Sequence, residues 1–215
     1  VPAGRRYAKV IDAHAHWYPR EFVTLLEKEG PQYGAKMGKT PQGHSLVQSV
    51  PGGTQSSVMP PNMIEIDLIL KEMDEREVDM YALSMTNPMV YWCPAQFGLK
   101  LSIAHNDACA AACAKYPQRF VPGMRAIYLA ENINGKNLHE KEFWPVYEAA
   151  QALDLPLFLH NLYPTGGERM KDYFMINTLG NPYEAGFAAT SLVNGGVLDA
   201  FPKLDVYLPH AGGTF

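Results

Sequence analysis

His14 and His16 are separated by one residue in the run Ile11-Asp12-Ala13-His14-Ala15-His16. On an extended segment, residues two apart share a face, so both imidazoles point the same way. Two neutral imidazoles side by side make a bidentate grip on a divalent transition metal. Asp12 precedes the pair and is suited to orienting a ligand or the loop. His160 ends Leu155-Pro156-Leu157-Phe158-Leu159-His160, an apolar run in which a terminal histidine has little packing purpose. As a third nitrogen ligand it would make a catalytic-type site with positions open for water or substrate. His210 follows another such run and precedes Ala211-Gly212-Gly213, where glycines permit close backbone or ligand approach. It is either a fourth ligand or an acid/base, because histidine titrates near neutral pH. His105 sits in an Ala-rich helix and His139 in a polar loop, and ordinary packing or surface roles account for both.

For these side chains to meet, the elements carrying them must end on one rim. Tyr7 to Asp12 reads as a first strand, its adjacent Val10 and Ile11 suited to a sheet buried on both faces, with the histidines leaving its C-terminal end. Helices are expected over 20–28, 64–77, 95–116, 141–153 and 182–199, and further strands over 80–85, 120–127, 155–160 and 203–209. Residues 32–63 show almost no periodicity and are rich in Gly, Pro, Ser, Thr and Gln. That stretch reads as a long functional loop or flap with at most a small hairpin.

Strands alternate with helices across connections too long for hairpins, which argues parallel α/β. A dinucleotide-binding fold needs a glycine-rich turn after its first strand, where this chain has Ala-His-Ala-His. A (β/α)8 TIM barrel of the metal-dependent hydrolase type fits better, because its strands deliver side chains to a single rim. The barrel is read as incomplete in this sequence, lacking strands 7 and 8 and one helix-plus-strand unit near 130–133. Residues 1–215 are then a single barrel domain with an inserted loop at 32–63.

Composition removes other classes. The 215 residues are 47% hydrophobic and 19% charged, ordinary values for a globular chain. Eighteen Lys plus Arg against 22 Asp plus Glu give a formal charge of -4, with no basic block to follow a phosphate backbone. A nucleic-acid partner is not expected. No run is long and apolar enough for a membrane span, and Val1-Pro2-Ala3-Gly4-Arg5-Arg6 lacks the apolar stretch of a signal peptide. Cys93, Cys109 and Cys113 are odd in number, which fits a reducing compartment and a cytoplasmic location. Cys109 and Cys113, four apart, read as small buried hydrophobes on one helix face.

Laid out this way, the chain resembles the amidohydrolase-related metal-dependent decarboxylases. The similarity runs through Ile11 to Pro19, Glu72-Met73-Asp74 with Val78 to Ser84, and Tyr116 to Val121. It continues in Phe143 to Ala150, in Leu159-His160, and from Gly195 to Leu204 into His210-Ala211-Gly212-Gly213. The resemblance implies that His14, His16 and His160 ligate a divalent metal, Zn2+ first and Mn2+ as the alternative. It implies that His210 is the catalytic histidine beside the metal and not a ligand. The family's remaining ligand is an aspartate that falls beyond Phe215, and members are commonly homodimers.

Two departures bear on the substrate. Members close to this chain carry Pro-Trp after the fifth-strand histidine, whereas Asn161 and Leu162 stand here. Their flap supplies an arginine for a carboxylate, whereas 32–63 offers only Lys36, Lys39 and His44, and a lysine is a point charge and not a bidentate fork. These three, with Trp17 and Phe174, are the expected substrate-binding residues.

The expected reaction is loss of CO2 from a small unsaturated or aromatic carboxylic acid. The metal would orient substrate or water, and His210 would be the acid/base. The same groups would serve hydrolysis of a lactone or amide, the alternative reading. A non-catalytic metal-binding protein would show an occupied site with no open pocket above it.

Overall fold

The computed structural model describes residues 9–50 and 53–214, which fall in two compact units, Val1–Gly123 and Met124–Phe215. In the first, β1 (Ile11–His16) lies parallel to β5 (Met80–Ser84), with Ile11 opposite Met80 and His16 opposite Ser84. The first strand therefore begins later than the sequence suggests and contains both histidines. Backbone pairing with β5 extends it, since Trp17 N–H still donates to the Ser84 carbonyl at 3.0 Å. Tyr7 and Ala8 lie outside the described residues. Between β1 and β5 come α1 (Arg20–Glu29) and α2 (Ile66–Glu75), and α3 (Ala95–Lys115) follows β5.

Residues 32–63 are not a loop with a small hairpin. They hold a three-stranded antiparallel meander of β2 (Lys36–Thr40), β3 (Gly43–Val50) and β4 (Gly53–Met59), paired in continuous register. The meander shares a core with α1 and α3, in which Phe22, Leu26, Leu46, Met59, Phe97 and Leu101 are all buried. A second cluster joins Ile69 and Met73 of α2 to Tyr81, Ala108, Ala112 and Phe120. Within it, burial pushes the Cys109 thiol up to about 12, so this cysteine is an unreactive packing group, as its helical spacing suggests.

The strand expected over 120–127 is divided. Phe120 bridges Tyr81 in parallel, Pro122 and Gly123 interrupt, and β6 (Ile127–Ala130) forms separately in the second unit. There it pairs in parallel with β9 (Leu157–His160), Ala130 standing opposite His160, and β9 pairs with the short β10 (Val206–Tyr207). Residues 130–133 run unbroken from β6 into a two-stranded hairpin of β7 (Asn132–Ile133) and β8 (Lys136–Asn137). The strand–helix alternation lapses instead between Phe120 and Ile127, which no helix separates.

Helix α4 (Trp144–Ala152) precedes β9, and a π-helical turn, Ile176–Gly180, leads into α5 (Asn181–Asn194). The helix expected over 182–199 is broken after Asn194. Gly196 takes a left-handed φ of 72°, and a Cβ on Gly195 would lie 2.1 Å from that of His139. The chain resumes as α6 (Val197–Ala200). In each unit parallel strands are connected through helices, the order of an α/β fold, alongside the antiparallel β2–β3–β4 and β7–β8. Among the described residues no helix is long and apolar enough to cross a membrane.

Candidate metal centre

In the first unit, the β1–β5 register slips between Asp12 and Ala15, a bulge that contains His14. Bulges re-aim side chains, and this one is held from within: the Asp12 carboxylate accepts the backbone N–H of His14 at 2.8 Å. The two imidazoles lie edge to face, their centroids 4.7 Å apart. Burial pushes the His14 imidazole below its ordinary value, partly opposed by the negative charge of Asp12. The ring is therefore neutral near pH 7, the form in which histidine ligates metals. His16 Nδ1 lies 3.1 Å from the Ser84 hydroxyl.

In the second unit, His160 ends β9 with 4% exposure. Its Nδ1 is 2.9 Å from the carbonyl oxygen of Asn161. A carbonyl only accepts, so Nδ1 carries the proton and Nε2 keeps its lone pair. Within the first unit, His14 and His16 form a pair of imidazoles that can grip a metal ion, and in the second unit His160 offers one more nitrogen ligand at the end of its strand. Imidazole nitrogens are ligands that suit a divalent transition metal, so the donor chemistry of these residues fits.

Trp17 is buried among Ile69, Met73 and Phe120, its indole N–H donating to the Ile64 carbonyl at 3.0 Å. Lys36, Lys39 and His44 come together along one cleft beside Glu27, whose carboxylate is 3.6 Å from His44 Nδ1. Phe174 is 81% exposed on a left-handed backbone (φ 55°). His210 is also exposed and left-handed (φ 53°), opening a short 3-10 turn after β10.

Sequence reasoning passed over Glu131. It directly follows β6, its N–H donating to the His160 carbonyl at 2.9 Å, and it is 1% exposed. Among the described residues neither of its carboxylate oxygens has a hydrogen-bond partner. Burial, then the nearby Glu184 carboxylate, push Glu131 up to about 8. Glu184 is itself satisfied, accepting from the Asn132 amide and the Thr165 N–H, each at 2.8 Å. The available signal was an acid placed at the C-terminal end of Ile-Tyr-Leu-Ala, where a buried strand delivers its side chains.

A family model described as amidohydrolase matches residues 122–215. The chain is 28% identical to the 2-amino-3-carboxymuconate-6-semialdehyde decarboxylase of Dictyostelium discoideum, over 95% of this chain and 63% of that protein. It thus spans less than two thirds of that curated relative. Among solved structures, the apo IDCase of Metarhizium anisopliae superposes with a TM-score of 0.78 at 22% identity, over 96% of this chain and 66% of that one. The 5-carboxyvanillate decarboxylase of Sphingomonas paucimobilis gives 0.76 at 21%, over 97% and 69%. The chain is thus similar to the amidohydrolases over residues 122–215 and, over nearly its whole length, to a muconate-semialdehyde decarboxylase.

Proposed function

We propose that the protein is a metal-dependent decarboxylase of a small unsaturated or aromatic carboxylic acid. The observation that carries this reading is the edge-to-face His14–His16 pair at the end of β1, which His160, the last residue of β9, would complete. These residues would hold a divalent metal, zinc first. Manganese is the alternative, favoured by its presence in a 5-carboxyvanillate decarboxylase of similar fold. When bound, the metal supplies positive charge that orients the substrate and stabilises the negative charge developing as CO2 departs.

The chain's own residues supply the rest. The bond from the carboxylate to its carbon breaks, its electron pair stays on that carbon, and His210 delivers a proton there. Lys36, Lys39 and His44 recognise the anionic substrate, with Trp17 and Phe174 as its apolar contacts. The decarboxylases among the relatives support this chemistry over hydrolysis. The reading extends to a (β/α)8 barrel as the complete architecture and to a homodimer in the cytoplasm. The test is to offer the zinc-loaded and manganese-loaded chain a panel of hydroxybenzoates and unsaturated diacids beside matched lactones and amides. CO2 release from an acid, abolished by chelation, is the expected result. Turnover confined to lactones or amides would overturn the proposal.

A further inference from the structure

Ser84 closes β5 directly opposite His16. Its Oγ is 3.2 Å from the Ala15 carbonyl oxygen and 3.1 Å from His16 Nδ1. A hydroxyl owns one proton, and a carbonyl can only accept. With that proton on the Ala15 carbonyl, Oγ faces His16 with lone pairs alone, so Nδ1 must bring the proton of the second hydrogen bond. His16 Nε2 is then left unprotonated on the far side of the ring.

The backbone fixes the reach of this hydroxyl. The Ser84 carbonyl accepts Trp17 N–H at 3.0 Å, and the buried His105 imidazole hydrogen-bonds the backbone of both Trp17 and Ser84. His160 has the same proton arrangement, set by a carbonyl in place of a hydroxyl.

We propose that Ser84 is a positioning residue that holds His16 as its Nδ1–H tautomer and so dedicates Nε2 to a metal ion. The dedication to a metal rests on the metal-dependent reading, whereas the tautomer does not. Outer hydrogen bonds that fix a histidine ligand's tautomer are worth roughly 10- to 100-fold in metal affinity. Ser84→Ala removes the acceptor, while Ser84→Thr keeps a hydroxyl at the same carbon.

The test uses the full chain in two measurements. Long-range 1H–15N NMR of 15N-histidine-labelled, metal-free protein at about pH 8, above the ordinary histidine range, reads the His16 tautomer, assigned by the signal lost in His16→Gln. Zinc affinity is read by competition with a chromophoric chelator. The expected result is Nδ1–H in the wild type and in Ser84→Thr, and loss of that preference in Ser84→Ala. Zinc affinity should fall roughly 10- to 100-fold in Ser84→Ala and stay within about threefold in Ser84→Thr. Circular dichroism of each variant confirms that β1 and β5 still form. Nε2–H in the wild type, or a folded Ser84→Ala unchanged in both measurements, overturns the proposal. A wild-type chain that binds no zinc overturns the metal-dependent reading and the role of Nε2, while the NMR measurement still decides the tautomer.

Discussion

His14 and His16 lie with ring centroids 4.7 Å apart, closer than the roughly 6.6 Å that two residues of regular strand span. His14 sits in the β-bulge between Asp12 and Ala15, and the Asp12 carboxylate holds the bulge through His14 N–H. Asp12→Ala should therefore weaken zinc binding by about 10-fold or more, as removal of an outer hydrogen bond commonly does. Asp12→Asn retains an oxygen acceptor and should stay close to wild type. Competition titration of the two variants checks this, and unchanged affinity in Asp12→Ala would remove the role given to the bulge.

His210 is where metal binding and proton transfer should separate. His210→Ala is expected to keep its metal and its fold while turnover drops by roughly 100- to 10,000-fold, the usual scale for a positioned acid/base. His210→Asn should not recover activity, because an amide exchanges no proton near neutral pH. Metal analysis beside steady-state rates decides it: loss of metal together with activity would make His210 a ligand.

The cleft beside β2 and β3 makes a separate claim. Lys36 and Lys39 are exposed, so each contributes as a screened charge worth about 0.2–1 kcal/mol. Replacing either by alanine should raise KM for an anionic substrate by roughly 2- to 5-fold and leave metal content unchanged. The effect should shrink as salt is added. A KM indifferent to both substitutions would take the meander out of substrate recognition.

Glu131 ties stability to pH. Its carboxyl titrates near pH 4.5 in the unfolded chain and at about 8 in the fold, so the folded state holds the proton more tightly. Its contribution is fully present below pH 4.5 and is lost as pH rises toward 8 and the buried carboxyl ionises beside Glu184. Glu131→Gln should raise Tm at pH 8, change it little at pH 4.5, and flatten the slope between. A Tm difference that is the same at both pH values would contradict this.

The parts of the fold legible in the sequence are those that local pattern dictates. Pro19 and Gly30-Pro31 bracket α1, the 3.6-residue period of Ile66, Leu70 and Met73 marks α2, and apolar runs ending in histidine mark β9 and the approach to His210. The meander was hidden because its closed face buries Gln48 beside Leu46 while its open face carries Val47 and Val58. Inside and outside therefore do not alternate as apolar and polar. The His14–His16 pair was visible from spacing alone, but the bulge beneath it depends on β5, about seventy residues away along the chain. Glu131 escaped for a similar reason. Its burial and its Glu184 neighbour come from tertiary packing, and a single acid after a strand otherwise reads as a solvated end.

Anomalous diffraction at the zinc absorption edge, from crystals of the zinc-loaded chain, tests the central claim most directly. The expected result is one peak per chain, about 2.0–2.1 Å from one nitrogen each of His14, His16 and His160. A peak held by other side chains, or one that leaves His160 outside its coordination sphere, would contradict it.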